Sequence, residues 1–192
     1  LDNFGFWFET GMWHIADPAA YDHILFLIAL CGFYSWRDWK GLLILVTAFT
    51  LGHSLTLALA VLDVVHVKVD YIEFAIPLSI LLTALYNFFR LSSRPSRRES
   101  LRYVMAAIFG LIHGLGFSYL LKSMLGREND LLAPLFAFNV GLEAGQLLIV
   151  AGLLLAGSLA VAFGIKERDW RLGQSAFVLG IALIMTLERY PF

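Results

Sequence analysis

Six apolar runs, most of them near the ~20 residues that a helix needs to cross a hydrocarbon core, dominate this 192-residue chain. They cover about residues 20–36, 41–62, 71–90, 101–122, 133–163 and 171–189. Lipid offers no partner for backbone N–H and C=O groups, so such runs are predicted to be α-helices. Composition agrees: 15% of the residues are charged, against about a quarter in soluble domains. The expected fold is all-α, a polytopic six-transmembrane-helix bundle forming one domain over 1–192. Residues 1–19, rich in Phe and Trp, are expected to lie at the interface as an anchor. The fifth run exceeds one crossing and is expected to tilt. Pro134 suits a helix start, and Pro77 falls in the first turns of the third run.

A net charge of −1 gives no electrostatic pull toward nucleic acid, and the single cysteine, Cys31, excludes an internal disulfide or a multi-thiolate metal site. The first residue is Leu1, which suggests processing upstream, and "LDNFGFWFETGMWHIAD" lacks the basic start of a signal peptide. Ten of the fourteen Lys and Arg follow runs one, three and five, including the linker "RLSSRPSRRESLR". Basic loops stay cytoplasmic, so both termini are expected on the outer, periplasmic side of a bacterial inner membrane.

Within this apolar chain, "TAFTLGHSLTLALAVL" and "AIFGLIHGLGFSYLL" each place one histidine, His53 and His113, midway along a run. "FNVGLEAGQLL" adds Glu143 on a descending segment. Counted at about 1.5 Å per residue, all three should lie roughly 15 Å below the outer boundary. Asp22 and His23 are expected above that level, at an outer mouth, with His14 and Asp17 before them. Asn139, Glu143 and Gln146 share one helical face, Thr47, Thr50 and Ser54 border His53, and Ser79, Thr83 and Asn87 stripe the third run. Gly110 and Gly114 flank His113 as Gly141 and Gly145 flank Glu143, a spacing that lets helices approach closely. A buried histidine can simply bond a neighbouring helix, but an acid costs roughly 2.5–3.5 kcal/mol at mid-membrane, so its presence points to function. Imidazole and carboxylate without thiolate suit nickel, cobalt, zinc or manganese, with binding that weakens in mild acid.

The segments "YDHILFLIAL", "TAFTLGHSLTLALA", "IEFAIPLSI", "FGLIHGLGFSYLL" and "FNVGLEAGQLLIV" resemble, in order, the motifs of the HupE/UreJ family of hydrogenase and urease accessory membrane proteins, regarded as nickel or cobalt permeases. The resemblance implies that Asp22, His23, His53, His113 and Glu143 hold the family's polar positions, together with Glu73 and Asn87. Near the first run the family reads His, five residues, Asp-His, whereas seven residues separate His14 from Asp22 here. In a continuous helix the two extra residues would turn His14 about half a turn away; Pro18 allows a break.

The leading expectation is a secondary permease for nickel or cobalt: a metal site of Asp22, His23, His53, His113 and Glu143, with His14 as a further candidate, supported by Thr50, Ser54, Glu73, Asn139 and Gln146. One alternative is an intramembrane zinc hydrolase acting on a lipid or lipoprotein, with Glu143 as general base. Another is a metal-binding assembly subunit. Expected partners are the bilayer, a transition-metal ion, and either a second copy or an accessory membrane protein. A shared Phe-xxx-His-x-Leu at Phe49/His53/Leu55 and Phe109/His113/Leu115 hints at internal duplication of runs two and four.

Overall fold

A computed structural model describes residues 2–89, 99–125 and 131–191. The described residues form seven α-helices and no strand: α1 (Asp2–Ala16), α2 (Asp22–Cys31), α3 (Trp39–Val61), α4 (Val69–Phe89), α5 (Glu99–Leu125), α6 (Leu132–Ala162) and α7 (Glu167–Glu188). The last five are each long and apolar enough to cross a membrane. They match the runs expected from residue 41 onward. Together with the apolar side chains they leave exposed, they make this a multi-pass membrane bundle. Most of the linker "RLSSRPSRRESLR", with Arg90, Arg94, Arg97 and Arg98, lies outside the described residues, as does Arg127.

The first run departs from expectation. Residues 20–36 do not form one span: α2 has ten residues, about 15 Å, too short to cross alone. Nor are residues 1–19 simply interfacial. Residues 2–16 form a helix that packs lengthwise on α6 and buries Trp7 and Ile15. α1 lies beside the first half of α6, through Phe8, Gly11 and Met12 against Phe138, Gly141 and Gly145. The end of α2 lies beside the far half of α6, where Ile28, Cys31, Leu153, Leu154 and Gly157 line a cavity of about 290 Å³. In series, then, α1 and α2 lie along successive halves of α6, with a break between them. The break is built by Asp17, whose Oδ1 accepts the Ala19 N–H at 2.8 Å, and by Pro18 at the start of a short 3₁₀ turn.

Two helix pairs hold the bundle, and they share one design. On α3, a Cβ at Gly52 would overlap the Ala107 carbonyl of α5 and lie 3.1 Å from the Leu111 nitrogen; on α1, a Cβ at Gly11 would overlap the Phe138 carbonyl of α6 and lie 3.0 Å from the Leu142 nitrogen. In return Gly110 meets the Phe49 carbonyl and Gly141 the Phe8 carbonyl. Gly114 meets His53 and Thr56, and Gly145 meets Met12 and Ile15. Every partner sits at the same offset, so "FTLG" with "GLIHG" repeats as "FETG" with "GLEAG". Within each pair the helices run parallel. Between pairs they run opposite, because α3 and α6 are antiparallel, bonded from Ser54 to Asn139 at one end and from Thr47 to Glu143 at the other. This internal likeness relates α3–α5 to α1–α6.

Arg37, Lys40, Arg102, Lys166, Arg168 and Arg171 fall at one end of the bundle, with the exposed Trp36 and Trp39. At the opposite end Asp63, in the left-handed region at φ 59°, joins α3 to the turn before α4. Its carboxylate takes a hydrogen bond from Lys122, which holds the carboxyl below the ordinary Asp range. Lys122→Ala is expected to move the Asp63 titration upward in a carbon-13 NMR experiment. The sign follows: a depressed folded-state value favours the fold above the unfolded Asp range, and that contribution fades as pH falls through it.

Candidate metal site

The break between α1 and α2 decides where two histidines go. His14 ends α1, and His23 follows Asp22 at the start of α2. The two belong to different helices, so the half-turn argument does not apply, and their ring centroids lie 4.6 Å apart. His53, one residue after Gly52, projects from the locked α3–α5 pair to 5.8 Å from the His14 ring and 6.5 Å from the His23 ring. One nitrogen from each of His14, His23 and His53 lies within 4.8 Å of the other two. His113, from α5, stands beside this trio, 5.2 Å from the His23 ring.

The surroundings are dry and aromatic. His53 and His113 are at most 1% exposed and His23 6%. Phe117 and Phe138 stack with centroids 5.3 Å apart, and Phe117 covers the His14 ring at 3.8 Å. Phe26 packs at 5.2 Å from His113 and Phe49 at 6.0 Å from His53.

Polar bonding inside this cage is incomplete. Asp22 Oδ1 lies 3.1 Å from His23 Nδ1 and also accepts the His23 backbone N–H at 2.9 Å. A proton on Nδ1 then leaves Nε2 as the lone-pair nitrogen. His113 Nε2 lies 3.5 Å from the Ser79 hydroxyl. His14 Nε2, His23 Nε2, His113 Nδ1 and both nitrogens of His53 are buried without a hydrogen-bond partner. A buried polar atom left unpaired costs on the order of 1–3 kcal/mol, so several of them converging describe a place that a ligand would satisfy. Imidazole nitrogens bind divalent first-row metals at about 2.0–2.1 Å, which caps their separation near 4.2 Å. Drawing the three rings inward by under about 1 Å would meet that limit, so the residues fit such an ion.

The expected residues are thus regrouped. His23 joins the cluster with Asp22 beside it, and Asp22 also approaches Arg189, past the end of α7, at 3.8 Å. Glu143 does not meet the imidazoles: its Oε1 accepts the Thr47 hydroxyl at 2.6 Å across the α3–α6 interface. Along that interface the Thr50 hydroxyl donates to Gln146 Oε1 at 2.8 Å, and the Ser54 hydroxyl reaches Asn139 Oδ1 at 2.5 Å. Glu73 is exposed beside a cavity of about 190 Å³ that also borders Asp63 and Lys122. The Asn87 amide bonds the Ala29 carbonyl, away from the cluster. His66 is solvent-exposed, 4.0 Å from Asp63. The aromatic cage went unread in the sequence. The cue for His14 was present, since Asp-Pro at 17–18 marks the start of a new helical turn.

A family model for HupE / UreJ proteins matches residues 1–189, nearly the whole chain. No curated protein and no solved structure matches it. The chain belongs to the HupE / UreJ family.

Proposed function

We propose that the protein is a secondary permease of the bacterial cytoplasmic membrane that passes a divalent transition cation, nickel or cobalt, through the His14–His23–His53 cluster. The observation that carries this is the set of unpartnered buried imidazole nitrogens meeting at a broken crossing. Transporters commonly bind their substrate where a helix is interrupted between oppositely directed units, and both features occur together here. The basic end is assigned to the cytoplasm and both termini to the outer side.

In this reading the imidazoles are the cation's temporary ligands, and His113 is a fourth within reach. Asp22 orients His23 and supplies one negative charge. The phenylalanine cage excludes water, so the cation's hydration shell must be exchanged for nitrogen ligands. Release requires the pairs to move, and the energetics favour the α3–α6 seam as the place. Each pair is interlocked backbone to backbone, whereas the seam rests on three side-chain hydrogen bonds. At ~0.6 kcal/mol apiece inside a membrane these amount to only about 2 kcal/mol.

The hydrolase alternative loses support from the same geometry. Its general base was to be Glu143, which is bonded to Thr47 instead of facing the cluster.

The test is uptake of Ni²⁺ by proteoliposomes holding the full chain. Uptake should be saturable, should compete with Co²⁺, and should be lost in His14→Ala and in His23→Ala protein that still inserts. Unimpaired uptake in both variants would overturn the reading.

A further inference from the structure

We infer that the α3–α6 seam is a second, weaker station for the transported cation, formed by the Glu143 carboxylate with the Thr47 and Thr50 hydroxyls and the Gln146 amide oxygen. This rests on the permease reading and extends it toward the cytoplasmic side. From His53, Thr50 and Thr47 lie three and six residues back along α3, roughly 4.5 and 9 Å nearer the basic end. This stretch of the seam therefore lies on the inward side of His53 and leads toward the basic end.

Three observations converge on it. First, Glu143 has no cationic partner among the described residues, and the hydroxyl of Thr47 is the hydrogen bond it holds. An acid kept inside a membrane span without a counter-charge marks an ion path more often than a packing role. Second, Gln146 is wholly buried, and its Nε2 has no partner although its Oε1 is bonded to Thr50. Gln146 lies one turn beyond Glu143 on the same helix, close enough for the two side chains to meet. Its free amide nitrogen thus offers the carboxylate a second docking point. Glu143 can occupy the Thr47 position seen here or swing to Gln146, moving the negative charge along the seam. Third, the seam is the boundary between the two oppositely directed pairs, so its oxygens are the groups exposed when the pairs part.

The chemistry suits an exit. Oxygen ligands hold nickel and cobalt less firmly than imidazoles do, and conduction needs a site weak enough to leave. A divalent cation handed from His53 to these oxygens could keep part of its water shell and be released as the carboxylate returns to its hydrogen bonds.

The experiment uses the full-length protein in detergent and in proteoliposomes, with Ni²⁺ as the probe. Equilibrium dialysis of the wild-type chain should resolve a tight and a weak class of site. In Glu143→Gln the weak class should disappear while the tight-class Kd stays within about twofold, and uptake should fall by about tenfold or more. Thr47→Val, which keeps the carboxylate but removes its hydroxyl, should raise the weak-class Kd by about threefold. The proposal is overturned if folded Glu143→Gln protein keeps both classes, or loses both. An unchanged weak class in Thr47→Val also overturns it. A tight class that survives in His53→Ala would instead sink the imidazole site itself, so the two failures are distinguishable.

Discussion

Replacing His53 with alanine is expected to weaken tight Ni²⁺ binding by the purified protein at least about a hundredfold, near 2.7 kcal/mol. His53 is fully buried, and both of its nitrogens lack a partner. It also comes from the interlocked α3–α5 pair, one residue after the Gly52 contact. Losing it breaks the trio of imidazoles and leaves a gap beside His14 and His23, with His113 the remaining imidazole of the α3–α5 pair. His66→Ala is the control, since that ring is solvent-exposed beside Asp63, and its Kd should not move. Equal Kd values for His53→Ala and His66→Ala, in protein of matched folding, would remove His53 from the site.

The second large effect is on the fold. Gly110→Leu is expected to destabilise the bundle by more than about 3 kcal/mol and to abolish monodisperse protein in detergent. A Cβ there would overlap the Phe49 carbonyl and stand 3.0 Å from the His53 nitrogen, and neither backbone atom can rotate aside. Gly141→Leu should do the same to the other pair through the Phe8 carbonyl. Gly152→Leu supplies the comparison, because a Cβ at that position meets nothing within 4 Å. Thermal unfolding should place Gly152→Leu with the parent and both lock variants far below it. Similar midpoints for all three would mean that close approach is not what holds the pairs.

The long helices were legible because apolar length is a one-dimensional signal: α3 to α7 begin and end within a few residues of the hydropathy runs. The first run was misread, because residues 20–36 join the ten-residue α2 to the apolar turn after it, so the hydropathy run outlasts the helix. The aromatics of α1, with Phe4, Phe6 and Trp13 exposed and Trp7 buried, read equally well as an interfacial belt. Depth arithmetic brought His53 and His113 to a common level, where the structure also has them. Helical spacing gathered Asn139, Glu143 and Gln146 on one face of α6 but not what that face meets, which is Thr47, Thr50 and Ser54 of α3. The small-xxx-small spacings identified glycines that meet a neighbour but not which neighbour. That choice depends on the three-dimensional pairing of α1 with α6, two helices 130 residues apart that no local pattern connects.

The turn between His14 and Asp22 has a consequence for how this chain tolerates change in length. α1 is seated on α6 by its own glycine, and α2 is held separately by α4, α6 and α7. The residues from Asp17 to Tyr21 therefore act as slack: a residue or two gained or lost there can be taken up without dragging either ring out of the cluster. The same insertion inside α3 would rotate His53 by about 100° per residue and carry it out of reach. Ligand spacing along the first segment is thus a poor guide to whether a related chain can assemble this cluster, and the register of α3 against α5 a better one.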